Sequence, residues 1–334
     1  MAGKRLMAKT IAVTGGGGFI GRNLAAALNA RGCDDLILAD RLGCDEKWRN
    51  LLGLRFEDIL DPGDFLSAVE TGKLGELDAI VHLGACSSTT ERDADYLLRN
   101  NYHFTRALCE WSLRHKTRFI YASSAATYGD GSLGYSDEDA ATPALRPLNM
   151  YGYSKHLFDL WALRRGLLDR IVGLKYFNVY GSHEGHKGEM RSMVNKACAQ
   201  IANSGKVQLF KSHRPEYRDG EQRRDFVYVK DAVAVTLYFL ENRGVGGLFN
   251  CGTGEARTWN DLVKAAFTAM RKPCNIEYIE MPEALRGKYQ YLTQAETGKL
   301  RRAGYSRSFT SIEDGVADYV ATCLTPRRAV EGSR

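Results

Sequence analysis

The stretch Thr14-Gly-Gly-Gly-Gly-Phe-Ile-Gly21 decides the fold of this chain. The apolar residues 10–14 before it predict a buried strand, and residues 19–30 after it carry apolar side chains at helical spacing. Glycines between a strand and a helix let the backbone approach a pyrophosphate, which the amide groups of the helix N-terminus then bind. The sequence therefore predicts a dinucleotide site here. Three of the five glycines in this stretch, Gly15, Gly18 and Gly21, have the spacing G-x-x-G-x-x-G.

The end of the next predicted strand bears on the identity of the dinucleotide. Asp40 follows the apolar residues 36–39, and a carboxylate at this position binds the ribose hydroxyls of NAD. Arg41 comes directly after it and Lys47 lies close by, so these two cations could instead bind the 2′-phosphate of NADP. Both signals are present. We expect NADP and keep NAD as the alternative.

The first half of the chain alternates short apolar strands with helices. Short strands that are apolar throughout are typical of a parallel sheet covered on both faces, where ligands bind at the carboxyl ends of the strands. The predicted fold class is α/β, a Rossmann-type doubly wound parallel sheet with a smaller C-terminal substrate-binding lobe. Further predicted strands cover residues 78–83, 119–122 and 171–177, and predicted helices cover residues 93–115 and 151–168.

The regular pattern loosens after about residue 179. Residues 226–229 and 248–250 predict returns to the main sheet. We therefore expect a cofactor-binding domain of residues 1–178 plus about 226–252, and a substrate-binding lobe of residues 179–225 and 253–334. Two polar stretches, residues 182–190 and 213–224, predict long loops of the kind that often carry function.

Composition and charge exclude several classes of protein. The net charge of +6 over 334 residues is too weak for a nucleic-acid binder and is compatible with an anionic small-molecule substrate. The eight cysteines form no C-x-x-C pair, so we expect a reduced, cytoplasmic protein without a metal. The first residues lack the apolar core of a signal peptide and are expected to be a dispensable tail, and no apolar run is long enough to cross a membrane.

The segment Tyr151-Gly-Tyr-Ser-Lys155 places a phenol and an ammonium on one face of a predicted helix. A nearby ammonium stabilises a phenolate, so we expect Lys155 to lower the pKa of Tyr151. Such a phenol can move an alcohol proton while a hydride leaves for nicotinamide. Tyr153 competes for this role but lies on a different face. Ser124, at the end of a predicted strand, either hydrogen-bonds the reacting oxygen or only caps a turn.

These features together resemble the extended short-chain dehydrogenase/reductase family. The resemblance implies a bound nicotinamide cofactor and chemistry on a nucleotide-activated sugar. Dehydratases of this family place an acidic pair just after the strand-end hydroxyls, because they must eliminate water. Here Ala125-Ala126 stands at that place, which argues against a dehydratase.

A second acid–base candidate is Lys187, in the stretch His183-Glu-Gly-His-Lys-Gly-Glu189. An epimerase that oxidises and re-reduces one carbon keeps its hydride on the cofactor, so the ketone must turn over and present its other face. Its oxygen then lies in a new place, and a second proton donor opposite Tyr151 is expected. Two other interpretations stay open, in which Lys187 binds a phosphate or is a solvated loop lysine.

Longer segments are similar to the members of this family that epimerise an ADP-bound heptose at C6″. They are residues 84–90, 121–129, 176–181, 184–188 and 224–229, with Tyr289-Gln290 and Thr293-Gln294. The resemblance implies conversion of ADP-D-glycero-β-D-manno-heptose to its L-glycero epimer, for the inner core of lipopolysaccharide. It also implies one tightly bound NADP per subunit and a homo-oligomer, with a pentamer suggested.

Two alternatives to this activity remain. The chain could be a UDP-sugar 4-epimerase in which Lys187 is merely structural. It could also be a non-catalytic NADP-sensing protein, although the intact pair of Tyr151 and Lys155 argues against that.

The resemblance also implies which residues contact the ligands. The cofactor residues are Phe19, Ile20, Asp40, Arg41, Lys47, Leu83, Gly84, Ala85, Cys86, Ser87, Asn100, Lys155, Val179 and Lys187. The substrate residues are Ser124, Asn178, Phe210, Lys211, Ser212, His213, Arg224 and Tyr289, with Lys196 where some relatives have histidine. Arg224 suits a diphosphate because its guanidinium can bind two oxygens at once. Arg41 stands where relatives carry asparagine, and the loop 213–222 looks longer than theirs.

Overall fold

A computed structural model of the chain describes residues 10–286 and 289–324. The expected N-terminal tail lies outside the described residues. Strand β1 (Ile11–Thr14) is buried throughout and leads through the glycine loop into helix α1 (Phe19–Asn29). Helix α1 buries Leu24 and Leu28 and is followed by strand β2 (Leu36–Ala39), which pairs in parallel with β1. The predicted strand, loop and helix are therefore confirmed.

The main sheet contains seven strands, and each pair of neighbours in it is parallel. Its spatial order is β10-β6-β5-β4-β1-β2-β3, the order of a doubly wound fold. Strand β3 was not predicted, since it is a three-residue edge strand without a buried face. The remaining members are β3 (Asp58–Leu60), β4 (Ala79–His82), β5 (Arg118–Ser124), β6 (Val172–Tyr176) and β10 (Gly247–Cys251).

Helices cover both faces of this sheet, as its apolar strands require. The predicted helix over residues 93–115 is interrupted by a π-helical turn at Leu98–His103. The helices around the sheet are α2 (Pro62–Glu70), α3 (Ala94–Leu97), α4 (Phe104–Arg114), α5 (Met150–Arg164) and α7 (Val229–Glu241). Short 3₁₀ turns lie at Glu46–Leu51, Ala125–Tyr128 and Asp139–Ala144.

The smaller lobe has two small sheets. Strands β7 (Asn178–Tyr180), β9 (Arg223–Tyr228) and β11 (Ala256–Thr258) form one, and β8 (Val207–Phe210) pairs with β12 (Ile276–Ile279) in the other. Its helices are α6 (Met193–Ser204), α8 (Trp259–Ala269), α9 (Glu283–Arg286) and α11 (Ile312–Tyr319), with a 3₁₀ turn at Gly185–Met190 and a π-helical turn at Val320–Leu324. Helix α10 (Gly298–Arg302) packs instead against β10 of the main sheet.

One predicted strand partner is wrong. Residues 226–229 were expected to return to the main sheet, but β9 pairs with β7 and β11 instead. The second predicted return is confirmed, because β10 pairs with β6. An apolar run indicates a strand but carries no information on its partner, and β10 already occupies that edge of β6.

Three buried clusters correspond to these layers. One lies between the main sheet and helices α1 and α7, a second lies on the opposite face under α2, α4 and α5, and the third fills the smaller lobe. The seven cysteines with described side chains are free thiols. Across the described ranges, no helix combines the length and apolar character needed to cross a membrane.

Candidate active site

The glycine loop forms a narrow cradle at the carboxyl edge of the main sheet. Gly15 has a left-handed backbone (φ +69°), and a Cβ added there would lie 2.8 Å from the Gly84 nitrogen. A Cβ added to Gly21 would lie 2.1 Å from the Gly15 carbonyl oxygen. Gly18 begins helix α1 without a side-chain cap, so its first amide groups can bind an anion. These features fit the close approach of a dinucleotide pyrophosphate.

A cavity of about 490 Å³ opens beside this cradle. Most of the predicted cofactor residues line it, together with all four predicted catalytic residues. The predicted residues brought together there are Gly15, Gly18, Phe19, Ile20, Gly21, Asp40, Lys47, Leu83, Gly84, Ala85, Cys86, Ser87, Ser124, Tyr151, Lys155, Val179 and Lys187. We call this space the cofactor cavity.

Asp40 directly follows β2, and both of its carboxylate oxygens accept hydrogen bonds. One oxygen accepts the Gly17 N–H at 2.9 Å. The other accepts the Lys47 ammonium at 2.6 Å and the Arg41 N–H at 2.8 Å. The ion pair with Lys47 balances the charge of the carboxylate beside the cradle.

Two predicted cofactor residues do not line the cavity. The Arg41 side chain is 61% exposed and its guanidinium pairs with Asp61 at 3.1 Å. The Asn100 amide donates to the Asn101 side chain at 3.0 Å. Asn101, which sequence reasoning missed, is buried and binds the backbone of Cys86 and the hydroxyl of Ser154. It ties the end of β4 to α5, a role that depends on tertiary contacts.

Helix α5 sets the position of the Tyr-x-x-x-Lys pair. Asn149 caps the helix by accepting the Gly152 N–H at 2.8 Å. A Cβ added to Gly152 would lie 2.7 Å from the Ala126 carbonyl oxygen, so the helix packs closely on the turn that follows Ser124. Tyr151 therefore faces the cofactor cavity, while Tyr153 is 44% exposed.

Burial raises the pKa of Tyr151, and the hydrogen bond with Ser124 opposes this rise. The expected lowering of the Tyr151 pKa is therefore not found. Burial also lowers the pKa of Lys155 to about 8, while the nearby carboxylate of Asp159 opposes that change. Near neutral pH, Tyr151 is a neutral phenol that can donate a proton.

A buried polar network lies behind these residues. Asp159 is one helical turn beyond Lys155 and accepts the hydroxyls of Tyr121 at 2.8 Å and Ser123 at 2.7 Å. Its carboxylate also lies 3.8 Å from the Lys175 ammonium, and neither side chain is exposed. The network joins α5 to β5 and β6. Sequence reasoning missed it because the residues come from three separate elements.

Lys187 lies where two cavities meet. The second cavity, of about 620 Å³, is lined by the smaller lobe and by the segment that follows β6, and Lys187 lines both cavities. Its ammonium lies 5.4 Å from the centre of the Phe19 ring. Burial lowers the pKa of Lys187, and the buried carboxylate of Glu184 opposes this change. The half-buried position of Lys187 does not fit a solvated loop lysine.

The second cavity contains only part of the predicted substrate set. Asn178, Lys196, Phe210 and Tyr289 line it. Lys211, Ser212 and His213 do not, because Lys211 pairs with Glu280 at 2.8 Å and the backbone amides of the other two bind Asp219 and Tyr291. Sequence reasoning missed Trp259, Phe226 and Arg191, which also line this second cavity; we call it the substrate cavity after the residues that were predicted to bind substrate. Nothing in their local pattern distinguishes them from core or surface residues.

Arg224 lies behind the wall of the substrate cavity. Its guanidinium is 5.2 Å from the centre of the Tyr289 ring and 5.6 Å from that of Trp259. One terminal nitrogen donates to the Arg223 carbonyl at 2.8 Å and the other to the Gln290 carbonyl. Each terminal nitrogen keeps one further N–H, since a guanidinium has five.

The fold and the site together define a Rossmann-type, nicotinamide-dependent enzyme with a Tyr-x-x-x-Lys pair. Residues 11–252 match the NAD dependent epimerase/dehydratase family, and the chain belongs to that family.

Curated relatives place it among the epimerases, which are isomerases. It is 57% identical to the ADP-L-glycero-D-manno-heptose-6-epimerase of Nitratidesulfovibrio vulgaris (strain Hildenborough), over 93% of this chain and 97% of the relative. It is 43% identical to the protein of the same name from Fusobacterium nucleatum, over 94% and 98%.

Solved structures agree with this assignment. The crystal structure of the Helicobacter pylori ADP-L-glycero-D-manno-heptose-6-epimerase matches with a TM-score of 0.81 and 27% identity, covering 96% of this chain and 97% of the other. The UDP-glucose 4-epimerase of Thermotoga maritima, at 24% identity and a TM-score of 0.77 over 93% and 97% of the chains, shows the shared fold alone.

Proposed function

We propose that this enzyme converts ADP-D-glycero-β-D-manno-heptose to its L-glycero epimer by inverting C6″ without net redox change. The position of Lys187 carries the proposal. It lines both the cofactor cavity and the substrate cavity, whereas Tyr151 reaches the cofactor cavity from helix α5. Two groups that can transfer protons thus approach the same region from different elements. The 57% identical relative named for this activity supports the same substrate.

Inversion of the carbon needs transfer of a hydride and transfer of a proton. A bound nicotinamide would supply the hydride acceptor and donor. Tyr151 Oη exchanges a proton with the 6″-oxygen, and Ser124 Oγ hydrogen-bonds that oxygen. Lys155, a buried residue of α5, holds its positive charge close to the phenol. After the sugar has turned over, Lys187 Nζ faces the oxygen in its new position, so one of the pair removes the proton and the other returns one.

We infer that the cofactor is NADP. The glycine cradle and the N-terminus of α1 would hold its pyrophosphate, and the end of β2 its adenosine ribose. The Asp40 carboxylate would repel a 2′-phosphate if it were free, but the Lys47 ammonium lies 2.6 Å from it and balances its charge. The exposed Arg41 guanidinium at the rim could then reach that phosphate.

We propose that the ADP part of the substrate occupies the second cavity. Lys196 supplies a cation there, and Phe210 and Tyr289 offer aromatic surfaces for a flat base. Arg224, which lies behind the cavity wall, supports the Tyr289 ring through a cation–π contact and does not itself line the cavity.

A direct comparison of substrates tests this function. The purified enzyme is incubated separately with the D-glycero ADP-heptose and with UDP-galactose, and inversion is followed by NMR. We expect rapid inversion of the ADP-heptose only. Inversion of UDP-galactose alone would favour a UDP-sugar 4-epimerase and contradict the proposal.

Three further parts of the proposal come from the sequence: the location from its cysteines, the assembly from the resemblance and the domain bounds from the strand and helix pattern. We propose a cytoplasmic location and a homo-oligomer, with a pentamer expected from sedimentation velocity. We also propose a cofactor-binding domain of residues 1–178 with about 226–252, and a substrate-binding lobe of residues 179–225 and 253–334. Within the first of these, strand β9 pairs with the small sheet rather than with the main one.

A further inference from the structure

Asn50 connects the glycine loop to the loop that carries Lys187. It lies in the 3₁₀ turn Glu46–Leu51 and is 8% exposed. Its Nδ2 donates to the Gly17 carbonyl at 2.9 Å and to the His183 carbonyl at 3.2 Å, and it lies 3.1 Å from His186 Nδ1. One buried amide group thus bridges two segments that are far apart in sequence. We call this set of contacts the Asn50 clasp.

On the cofactor side, the clasp continues into residues that line the cofactor cavity. The N–H of Gly17 donates to Asp40, and its carbonyl accepts from Asn50, so the backbone of Gly17 is held on both sides. Asp40 in turn binds Lys47, three residues before Asn50 in the same turn. The position of the glycine loop and the position of this turn therefore depend on each other.

On the other side, the Lys187 loop needs such external support. His183 has a left-handed backbone (φ +72°), which is unfavourable for a residue with a side chain. Glu184 closes the ends of the loop by accepting the N–H of Gly181 and both the N–H and hydroxyl of Ser192. The Asn50 clasp contacts this loop at His183 and His186, directly before Lys187.

We propose that Asn50 is a positioning residue that fixes the Lys187 loop against the glycine loop, so that Lys187 meets the substrate at the correct distance from the cofactor. The inference rests on the proposed two-base reaction. An aspartate at this position would have the same size, but its oxygens would face the carbonyls of Gly17 and His183 and could not donate.

The test compares Asn50→Asp with a matched control, Asn29→Asp. Asn29 is also buried (6% exposed), and its Nδ2 donates to the carbonyls of Cys33 at 3.0 Å and Arg55 at 2.8 Å, away from both cavities. For each holoenzyme, kcat and KM for the ADP-heptose are measured, with hydrogen exchange of residues 183–190. Asn50→Ala, which removes the donor without adding a charge, replaces Asn50→Asp if that variant does not fold.

We expect Asn50→Asp to lower kcat by about 10- to 100-fold, because small misplacements of a reacting group have effects of this size. KM should change much less, and exchange over residues 183–190 should accelerate. Asn29→Asp should leave kcat and this exchange at wild-type values. The proposal is overturned if the two variants behave alike, or if saturating NADP restores kcat of the Asn50 variant.

A failure of the proposed function can be distinguished from a failure of the Asn50 proposal. Wild-type enzyme that does not invert the ADP-heptose would contradict the two-base reaction, while hydrogen exchange would still report on the clasp. Unchanged hydrogen exchange of residues 183–190 in Asn50→Asp would contradict the proposed role of the Asn50 clasp, even if the two-base reaction is correct.

Discussion

Tyr151 reaches the site from helix α5 and Lys187 reaches it from a separate loop, and the proposed reaction needs both. Tyr151 is fixed by the cap of α5 and by the turn after β5, whereas Lys187 is fixed by a loop held through buried contacts. Because their supports are separate, each can be removed without displacing the other. The two residues can therefore be tested independently.

Tyr151→Phe and Lys187→Met should each lower kcat by about 10²- to 10⁴-fold, the range typical of a lost acid–base group. The cofactor should remain bound, since neither change touches the glycine cradle. Steady-state kinetics with the ADP-heptose and the absorbance of bound cofactor give the answer. Tyr153→Phe is the control for the exposed tyrosine on the same helix and should behave as wild type. A near-normal rate in either variant would rule out the two-base scheme.

Arg41 tests the choice of cofactor. Arg41→Ala should weaken binding of NADP by about 10-fold or more and that of NAD much less, because the guanidinium would bind the 2′-phosphate that NAD lacks. Titration of cofactor-depleted enzyme with both nucleotides measures this. Arg55→Ala, which removes another exposed arginine paired with an aspartate, serves as the control. Equal losses for the two nucleotides would show that Arg41 does not recognise the phosphate.

At the scale of elements, the approach of α5 to the end of β5 depends on one glycine. A methyl group at Gly152 would lie 2.7 Å from the Ala126 carbonyl and 3.2 Å from Pro147 Cβ. The helix would then have to move away from Ser124 and take Tyr151 with it. The geometry of the acid–base pair is therefore a property of helix packing.

Gly152→Ala should lower the free energy of unfolding by about 1–3 kcal/mol, as is usual for overpacking, and should lower kcat as well. Urea unfolding and steady-state kinetics measure the two effects. Gly244→Ala is the matched control, because a methyl group there meets nothing within 4 Å. Loss of stability with unchanged kcat would mean that Tyr151 keeps its place when the helix shifts.

His82, at the end of β4, links two elements and makes the fold sensitive to acid. Its ring nitrogens lie 2.6 Å from the Thr14 hydroxyl and 2.8 Å from that of Thr105. Burial lowers the pKa of His82 to about 3. The unfolded chain binds a proton at this residue below about pH 6.5, whereas the folded chain resists it down to about pH 3. The stability of the folded state therefore falls as pH drops through this window.

We expect the wild type to lose about 2 kcal/mol more than His82→Gln in free energy of unfolding between pH 7.5 and pH 5, from the difference between pH 5 and the unfolded pKa. Urea unfolding at the two pH values measures this. His103→Gln, which changes an exposed histidine, should follow the wild type. Parallel losses in wild type and His82→Gln would contradict a depressed pKa at His82.

For the whole molecule, the meeting of two cavities explains why the cofactor should stay bound. The glycine cradle and Asp40 line the cofactor cavity, and so do His186, Lys187 and Met190 of the Lys187 loop. An epimerase that returns its hydride to the same sugar has no need to exchange its cofactor between turnovers. Retention is therefore expected from both the shape and the chemistry.

The purified protein should carry about one nicotinamide nucleotide per chain through gel filtration, in line with tight binding in a concave site. Acid extraction followed by chromatography identifies and counts the nucleotide. Substoichiometric nucleotide that is fully restored by adding NADP would still agree with the scheme. Protein that releases none and gains no activity from added NADP would contradict a self-contained hydride cycle.

Much of this molecule could be predicted from local sequence. The glycine loop, the alternation of strands and helices, and the Tyr-x-x-x-Lys helix each depend on residues close together in the chain. Their chemistry follows from spacing alone, because a strand, a tight turn or one helical face is set by a few neighbours. The strand–loop–helix unit follows from these signals, whereas most of the other residues that line the cofactor cavity were implied by the family resemblance.

Other features were decided only by tertiary structure. Residues 226–228 of strand β9 are apolar like the strands of the main sheet, yet β9 joins the smaller lobe, because pairing depends on which edge is free. Asn50, Asn101 and Asp159 look like ordinary polar residues in the sequence, and their importance comes from partners in distant segments. Burial, a property of the whole fold, raises the pKa of Tyr151 where the local pattern predicted a decrease. Sequence thus determined which groups are present, and the fold determined what surrounds them.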